Sequence, residues 1–235
     1  MTIGGMQTLT LLDYPEHVAA TIFTVGCNFR CPFCHNGDLV LQGSEEYKEE
    51  EVLQFLKKRR NVTEAVCITG GEPTLMKDLP VFIYRIKNMG YLVKLDTNGT
   101  NPEMIQKLYE GNLIDYVAMD IKNSFENYER TIGGVNTDMN RIKSSIEYIM
   151  KSGVDYEFRT TLVKGIHIYE DMEKMAEAIS GAKKYVLQNY AGNDKTIARL
   201  TKNEDCFEPF SGSEMNHFLE IAQKYVINAR LRLAE

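Results

Sequence analysis

The sequence predicts an α/β protein with parallel strands, and three observations carry that prediction. Short β-branched runs alternate with longer stretches of helical period along nearly the whole chain. Six such β-then-α units follow one another, the pattern that right-handed crossovers impose on a parallel sheet. Polar, chemistry-bearing residues collect where the β runs end, the edge at which parallel α/β folds bind ligands. Periodicity alone leaves open whether the sheet is doubly wound or curved into a barrel.

The first β run covers residues 18–25 and opens directly onto three cysteines. The others cover 65–69, 92–96, 116–121, 156–162 and 184–188, and the tail 226–233 suits a final edge strand. Helical period covers 48–60, 79–89, 102–110, 139–152, 169–180 and 213–226. In the first helix Glu49, Glu50 and Glu51 lead and Lys57, Lys58, Arg59 and Arg60 close, so both ends complement the helix dipole. Asn101 before Pro102 reads as an N-cap followed by proline at the first helical position. Gly90, Gly111, Gly153 and Gly181 each fall just past a helix, where a left-handed residue is wanted. Residues 189–213 form a weakly periodic connection of a length that usually marks a functional or mobile loop. No repeat or linker interrupts the pattern, so residues 1–235 read as one domain.

Composition narrows the class. At 235 residues the chain can build a sizeable core, and 43% hydrophobic with 26% charged residues is ordinary for a soluble globular protein. The formal charge of −6 gives no support to binding nucleic acid or an acidic membrane surface. No apolar run approaches the ~20 residues needed to span a bilayer. The opening residues carry no charged n-region or apolar h-region, so no secretory signal is expected and a cytoplasmic location is the default.

Five cysteines stand at positions 27, 31, 34, 67 and 206. An odd, clustered set fits metal-bound thiolates in a reducing compartment better than a disulfide framework. Cys67 lies inside a probable strand, and it and Cys206 are read as small buried hydrophobes. The other three fall within Cys27-Asn28-Phe29-Arg30-Cys31-Pro32-Phe33-Cys34. Structural zinc is usually closed by four ligands, and the nearest fourth candidate, His35, adjoins Cys34 and is poorly placed to share its metal. Three thiolates on a [4Fe–4S] cube would instead leave one iron open to another ligand. The spacing favours the iron–sulfur reading over zinc. Thr69-Gly70-Gly71-Glu72-Pro73, read alone, is a β-to-α turn whose glycines allow close backbone approach and whose Glu72 offers an acceptor to an ammonium group. Asp96-Thr97-Asn98-Gly99 reads as a turn, and Asp120-Ile121-Lys122 as a strand-end ion pair. His17, His167 and His217 have no constellation around them.

The cysteine pattern, with Phe33 before the third cysteine, resembles the signature of the radical S-adenosylmethionine (SAM) superfamily. The resemblance implies a curved partial (β/α)6 barrel of parallel strands, a [4Fe–4S] cluster on Cys27, Cys31 and Cys34, and SAM chelating the open iron. It implies that Phe33 lies beside the adenine, and that Gly70, Gly71 and Glu72 match the "GGE" motif that binds the SAM amino group. Asp96, Thr97, Asp120 and Lys122 resemble residues of glycyl-radical-enzyme activating enzymes that approach the SAM carboxylate through a monovalent cation or contact the ribose. Arg159 resembles a basic residue that reaches SAM in the same enzymes. His35-Asn36 follows the last cysteine, as in many of them, but the implied mechanism needs no general base.

A closer resemblance covers most of the chain. Gln7-Thr8-Leu9-Thr10-Leu11-Leu12-Asp13-Tyr14-Pro15 and the core Gly26 to Asn36 are similar to activating proteins of anaerobic ribonucleoside-triphosphate reductase, related to the pyruvate formate-lyase activating enzyme. The implied activity is reductive cleavage of SAM to methionine and a 5′-deoxyadenosyl radical, which takes a hydrogen atom from a glycine of the partner enzyme. No ferredoxin-like insert with further cysteines is present, so the electron is expected from an external donor of flavodoxin or ferredoxin type. Six β/α units of about 30 residues each leave little chain to enclose a small substrate, which suits a protein loop inserted from a partner. A radical SAM enzyme acting on a small molecule, like 7-carboxy-7-deazaguanine synthase, is the alternative. A non-enzymatic iron–sulfur or zinc carrier would leave Gly70 to Pro73 and Asp96 to Asn98 without a role.

Overall fold

Successive strand residues point to opposite faces, and in this chain the two faces differ in chemistry. Along residues 92–97, Val93 and Leu95 alternate with Lys94 and Asp96; along 116–120, Val117 and Met119 alternate with Ala118 and Asp120. The computed structural model, which describes residues 1–41, 43, 46–192, 194–202 and 207–232, sorts these faces onto two sides of one sheet. In chain order the elements are β1 (Ile3–Thr10), β2 (Ala19–Thr24), α1 (Gly37–Leu41), α2 (Glu49–Arg59), β3 (Ala65–Gly70), a 3₁₀ turn (Pro73–Leu75), α3 (Leu79–Lys87) and β4 (Leu92–Thr97). They continue as α4 (Pro102–Glu110), β5 (Tyr116–Asp120), α5 (Tyr128–Thr131), α6 (Met139–Lys151), β6 (Asp155–Leu162), α7 (Tyr169–Ala178), β7 (Tyr185–Asn189), α8 (Ile197–Leu200), α9 (Gly212–Gln223) and β8 (Ala229–Arg232).

Among the described residues the sheet has eight strands in the order β1 to β8, and every neighbouring pair from β2 to β8 is parallel. That order settles what periodicity left open. A doubly wound sheet reverses direction at a switch point so that its helices cover both faces. Here the order never reverses, so right-handed crossovers all land on one face and curvature must close the other. The result is a partial barrel, with β1 and β8 as its edges.

The outer face packs against the helices. Val66, Ile68, Val93, Leu95, Val117 and Met119 share one buried cluster with Leu56, Phe82, Ile83, Ile86, Leu108, Ile142 and Ile146. The inner face is buried yet polar: Thr21, Lys94, Glu157 and Arg159 are all under 10% exposed. A smaller apolar group, Tyr14, Ala19, Ala65 and Tyr116, fills the amino-end base of the barrel. Tyr14 reaches there because the segment after β1 folds underneath, anchored where Thr21 Oγ1 donates to Asp13 Oδ2 at 2.5 Å.

The six expected strands and six expected helices are present within a few residues of their predicted ends, and the tail strand is β8. Asn101 Oδ1 accepts from Met104 N as an N-cap. Gly90, Gly153 and Gly181 take positive φ; Gly111 does not (φ −78°), because the left-handed turn after α4 falls on Asn112 at φ 52°. The strand missed is β1, which pairs antiparallel with β2 through an irregular register. Its two glycines and polar residues give no strand period. Also missed are the short helices α1, α5 and α8. The connection 189–213 contains α8, and Cys206 lies outside the described residues. No helix among the described residues is long and apolar enough to cross a membrane.

Candidate active site

The cysteine loop is the β2-to-α1 connection, and four backbone hydrogen bonds from three other segments fix it. Gly26 N donates to Leu39 O at 3.0 Å, Arg30 N to Ile132 O at 3.0 Å, Ala198 N to Pro32 O at 2.8 Å and Ile197 N to Cys34 O at 3.3 Å. The connection 189–213 therefore braces the loop through α8. Within the loop Cys34 N donates to Cys31 O at 3.0 Å, and the Arg30 guanidinium donates to Cys27 O and Phe29 O at 2.6 and 2.8 Å.

The Gly70-Gly71 turn packs directly on this loop. Gly71 N donates to Thr24 O and Glu72 N to Gly26 O, both at 2.8 Å. A Cβ on Gly71 would stand 1.9 Å from Gly26 O, and one on Gly70, which has φ +108°, would stand 2.5 Å from Thr24 N. The close approach these glycines allow is thus to the neighbouring backbone. Asn36 Nδ2 adds a third tie, donating to Gly70 O at 3.1 Å.

Glu72 turns inward and is 1% exposed. Its Oε1 accepts from Thr74 N, Thr74 Oγ1 and Thr97 Oγ1 at 3.2, 2.5 and 2.7 Å, and its Oε2 accepts from Asn98 N at 2.7 Å. A carboxylate has about four acceptor sites, so an ammonium group bound here must share or displace one of these donors. Burial pushes the Glu72 carboxyl upward, opposed by those hydrogen bonds.

Deeper in the barrel lies an ionic chain. Arg159 donates to Asp96 Oδ2 at 2.9 Å and to Asp120 Oδ1 at 3.0 Å; Lys94 lies 2.8 Å from Asp96 Oδ1 and Lys122 3.0 Å from Asp120 Oδ2. Register produces this cluster: Asp120 pairs with Arg159 between β5 and β6, and Lys94 and Asp96 share the inward face of β4. Burial would raise both carboxyls, but the neighbouring cations outweigh it and hold Asp96 below its ordinary range and Asp120 at about 2. Three cations and two carboxylates thus alternate along the chain, and the buried Glu157 carboxylate adds to the field at Arg159.

All twelve residues singled out in the sequence line one cavity of about 200 Å³ at the carboxyl ends of the strands: Cys27, Cys31, Phe33, Cys34, Gly70, Gly71, Glu72, Asp96, Thr97, Asp120, Lys122 and Arg159. Phe29, His35, Asn36, Asn98 and Thr161 also line it and had no assigned role. Asn36 and Asn98 sit inside the stretches that drew attention, but their part depends on contacts across loops. His35 packs at a tilt against Tyr190 with ring centroids 5.7 Å apart, and burial lowers its pKa. Cys67 lies on β3, fully buried beside Lys94 and Asp96.

The donor set suits a cluster. Burial pushes the Cys27 thiol up to about 11 and the Cys31 thiol up to about 12, and raises Cys34 as well, so bound metal is what would hold them as thiolates. Among the described residues no three His, Cys, Asp or Glu side chains group as ligands of a single ion. A cube does not ask for that, because each thiolate takes a different iron. A partial barrel with a braced three-thiol loop over a charged lumen fits the class of iron–sulfur enzymes.

Comparison with known proteins narrows the class. Residues 21–179 match the Radical SAM superfamily profile. The chain is 35% identical over 98% of its length, and 95% of the relative's, to a Methanocaldococcus jannaschii protein named as a glycyl-radical enzyme activating enzyme. It is 27% identical to the pyruvate formate-lyase-activating enzyme of Streptococcus mutans, over 77% of this chain and 73% of the other. The crystal structure of a domain of pyruvate-formate lyase-activating enzyme from Bacteroides vulgatus superposes with a TM-score of 0.58 at 18% identity, covering 72% of this chain and all but 1% of that one. The chain belongs to the radical SAM superfamily and, within it, to the glycyl-radical enzyme activating enzymes. Membership implies a [4Fe–4S] cluster and SAM.

Proposed function

We propose that the chain activates a glycyl radical enzyme, and that this partner is an anaerobic ribonucleoside-triphosphate reductase. The observation that carries the SAM-cleavage reading is the convergence of all twelve residues, from five separate strands and strand ends, on one cavity, and the full-length likeness to an activating enzyme supports activation. The similarity of Gly26 to Asn36 to reductase-activating proteins supports the choice of partner. When bound, a reduced [4Fe–4S] cluster supplies the electron that cleaves SAM to methionine and a 5′-deoxyadenosyl radical. Cys27, Cys31 and Cys34 hold it. Phe33 would lie beside the adenine, and the Gly70-Gly71-Glu72 turn would receive the amino group. Lys122 and Arg159 offer positive charge to the carboxylate, and Asp96, Thr97 and Asp120 supply oxygens for the ribose or for a monovalent cation at the carboxylate. The buried lumen beneath the cysteine loop would limit the access of water to the bound SAM. The partner's glycine enters at the open mouth, and an external flavodoxin- or ferredoxin-type donor supplies the electron. A cytoplasmic location and a single domain over residues 1–235 belong to the same reading.

The test is to incubate the reconstituted, reduced protein and SAM with an anaerobic ribonucleotide reductase and to record EPR spectra. A glycyl doublet is the expected result. No doublet with this or any other glycyl radical enzyme, alongside turnover of a small molecule, would overturn the proposal.

A further inference from the structure

Asn98 follows the Asp96-Thr97 pair at the end of β4 and is 5% exposed. Two contacts from Thr100 fix its side-chain orientation. Thr100 N, which can only donate, reaches Asn98 Oδ1 at 3.0 Å, and Thr100 Oγ1 donates to the same oxygen at 2.7 Å. The carbonyl end of the amide therefore faces Thr100, and the NH₂ end faces the cysteine loop. There Nδ2 donates one hydrogen to Asn28 Oδ1 at 2.8 Å and directs the other to Cys27 Sγ at 3.8 Å. The backbone is held too, since Asn98 N donates to Glu72 Oε2 at 2.7 Å.

From this geometry we infer that Asn98 is a positioning residue for the iron–sulfur centre: its amide donates to the Cys27 sulfur and raises the centre's reduction potential. The inference rests on the reading that Cys27, Cys31 and Cys34 carry the cluster. Hydrogen bonds to cluster sulfurs are one of the levers that set potential. Reduction adds negative charge, and an N–H dipole aimed at sulfur stabilises the more negative state. Cys27 already receives Phe29 N at 3.3 Å, a backbone donor that side-chain substitution leaves in place. Asn98 is the adjustable donor. It also ties that sulfur to Glu72, so the turn proposed to receive SAM and the first cluster ligand move as one unit.

The test compares Asn98→Asp, Asn98→Ala and, as control, Asn28→Ala, each reconstituted anaerobically to the same iron content. The Asp variant keeps an oxygen facing Thr100 and loses the N–H toward Cys27, whereas the control removes Asn98's other partner and leaves that donor. Potentials are read by EPR-monitored redox titration, with SAM cleavage as a second readout. The expected result is a more negative midpoint in both Asn98 variants, slower cleavage, and a native midpoint in Asn28→Ala. Native midpoints in loaded Asn98 variants, an equal shift in the control, or loss of the cluster from both Asn98 variants would overturn the inference. Failure of the unsubstituted protein to take up an iron–sulfur cluster would instead sink the reading beneath it.

Discussion

Replacing Arg159 with Met would remove the cation shared by two carboxylates while keeping much of the stem's volume. The Arg159 side chain is 11% exposed and bonds Asp96 at 2.9 Å and Asp120 at 3.0 Å. Orphaning a buried charge costs about 3–5 kcal/mol, but neither carboxylate would be orphaned. Asp96 keeps Lys94 at 2.8 Å and Asp120 keeps Lys122 at 3.0 Å. The loss is then two charge-assisted hydrogen bonds at the low end of their range, about 3 kcal/mol together. The pH dependence has a definite sign. Burial pushes Asp120 up, yet Arg159 and then Lys122 outweigh it and hold it at about 2, below the ordinary 3.8. A carboxyl depressed by folding stabilises the protein above its unfolded pKa, and that stability is lost as pH falls through the folded value. For Asp120 it amounts to roughly 2 kcal/mol, lost between about pH 4 and pH 2. Removing Arg159 forfeits most of it, so the gap between native and variant should narrow on acidification. Urea denaturation of cluster-free protein, followed by circular dichroism, measures that gap near neutral pH and at about pH 3. No gap at neutral pH, or the same gap at both, would refute the reasoning.

Three further outcomes follow from the same contacts. Gly71→Ala places a Cβ 1.9 Å from a backbone oxygen of the cysteine loop, so the loop must shift; iron content after reconstitution should drop sharply, and native loading would contradict this. Asn101→Ala removes the N-cap of α4 and should cost about 1 kcal/mol in thermal unfolding, with iron binding unchanged. Phe82→Ala empties a fully buried site between α3 and the sheet, and a loss of about 3–5 kcal/mol is expected in denaturant unfolding; a loss below about 1 kcal/mol would mean that the site repacks.

The parallel α/β alternation was legible because each strand-to-helix switch changes the hydrophobic period, and because Asn101-Pro102 and the glycines after helices punctuate it. Curvature was not legible in that period, since it lies in the strand order, to which a period of two is blind; the resemblance of the cysteine loop supplied it. β1 was hidden for a different reason: Gly4 and Gly5 carry no strand signal, and pairing with β2 supplies the order. In the site, residues that carry chemistry in a recognisable spacing announced themselves. Lys94 and Glu157 did not, although both are buried on the inner face. A charged residue in a strand reads as surface until register shows that a barrel interior encloses it. Asn98 was passed over because Asn-Gly reads as a turn, and its approach to Cys27 spans 71 positions of sequence.

The cysteine loop carries the central claim, and SAM cleavage by native and Cys31→Ala protein tests it most directly. Cys31 is 6% exposed within the braced loop. Native protein reconstituted without oxygen should take up about four irons and, once reduced, release 5′-deoxyadenosine from SAM; Cys31→Ala should release none. Tight zinc binding without SAM cleavage, or full turnover by the variant, would contradict the account.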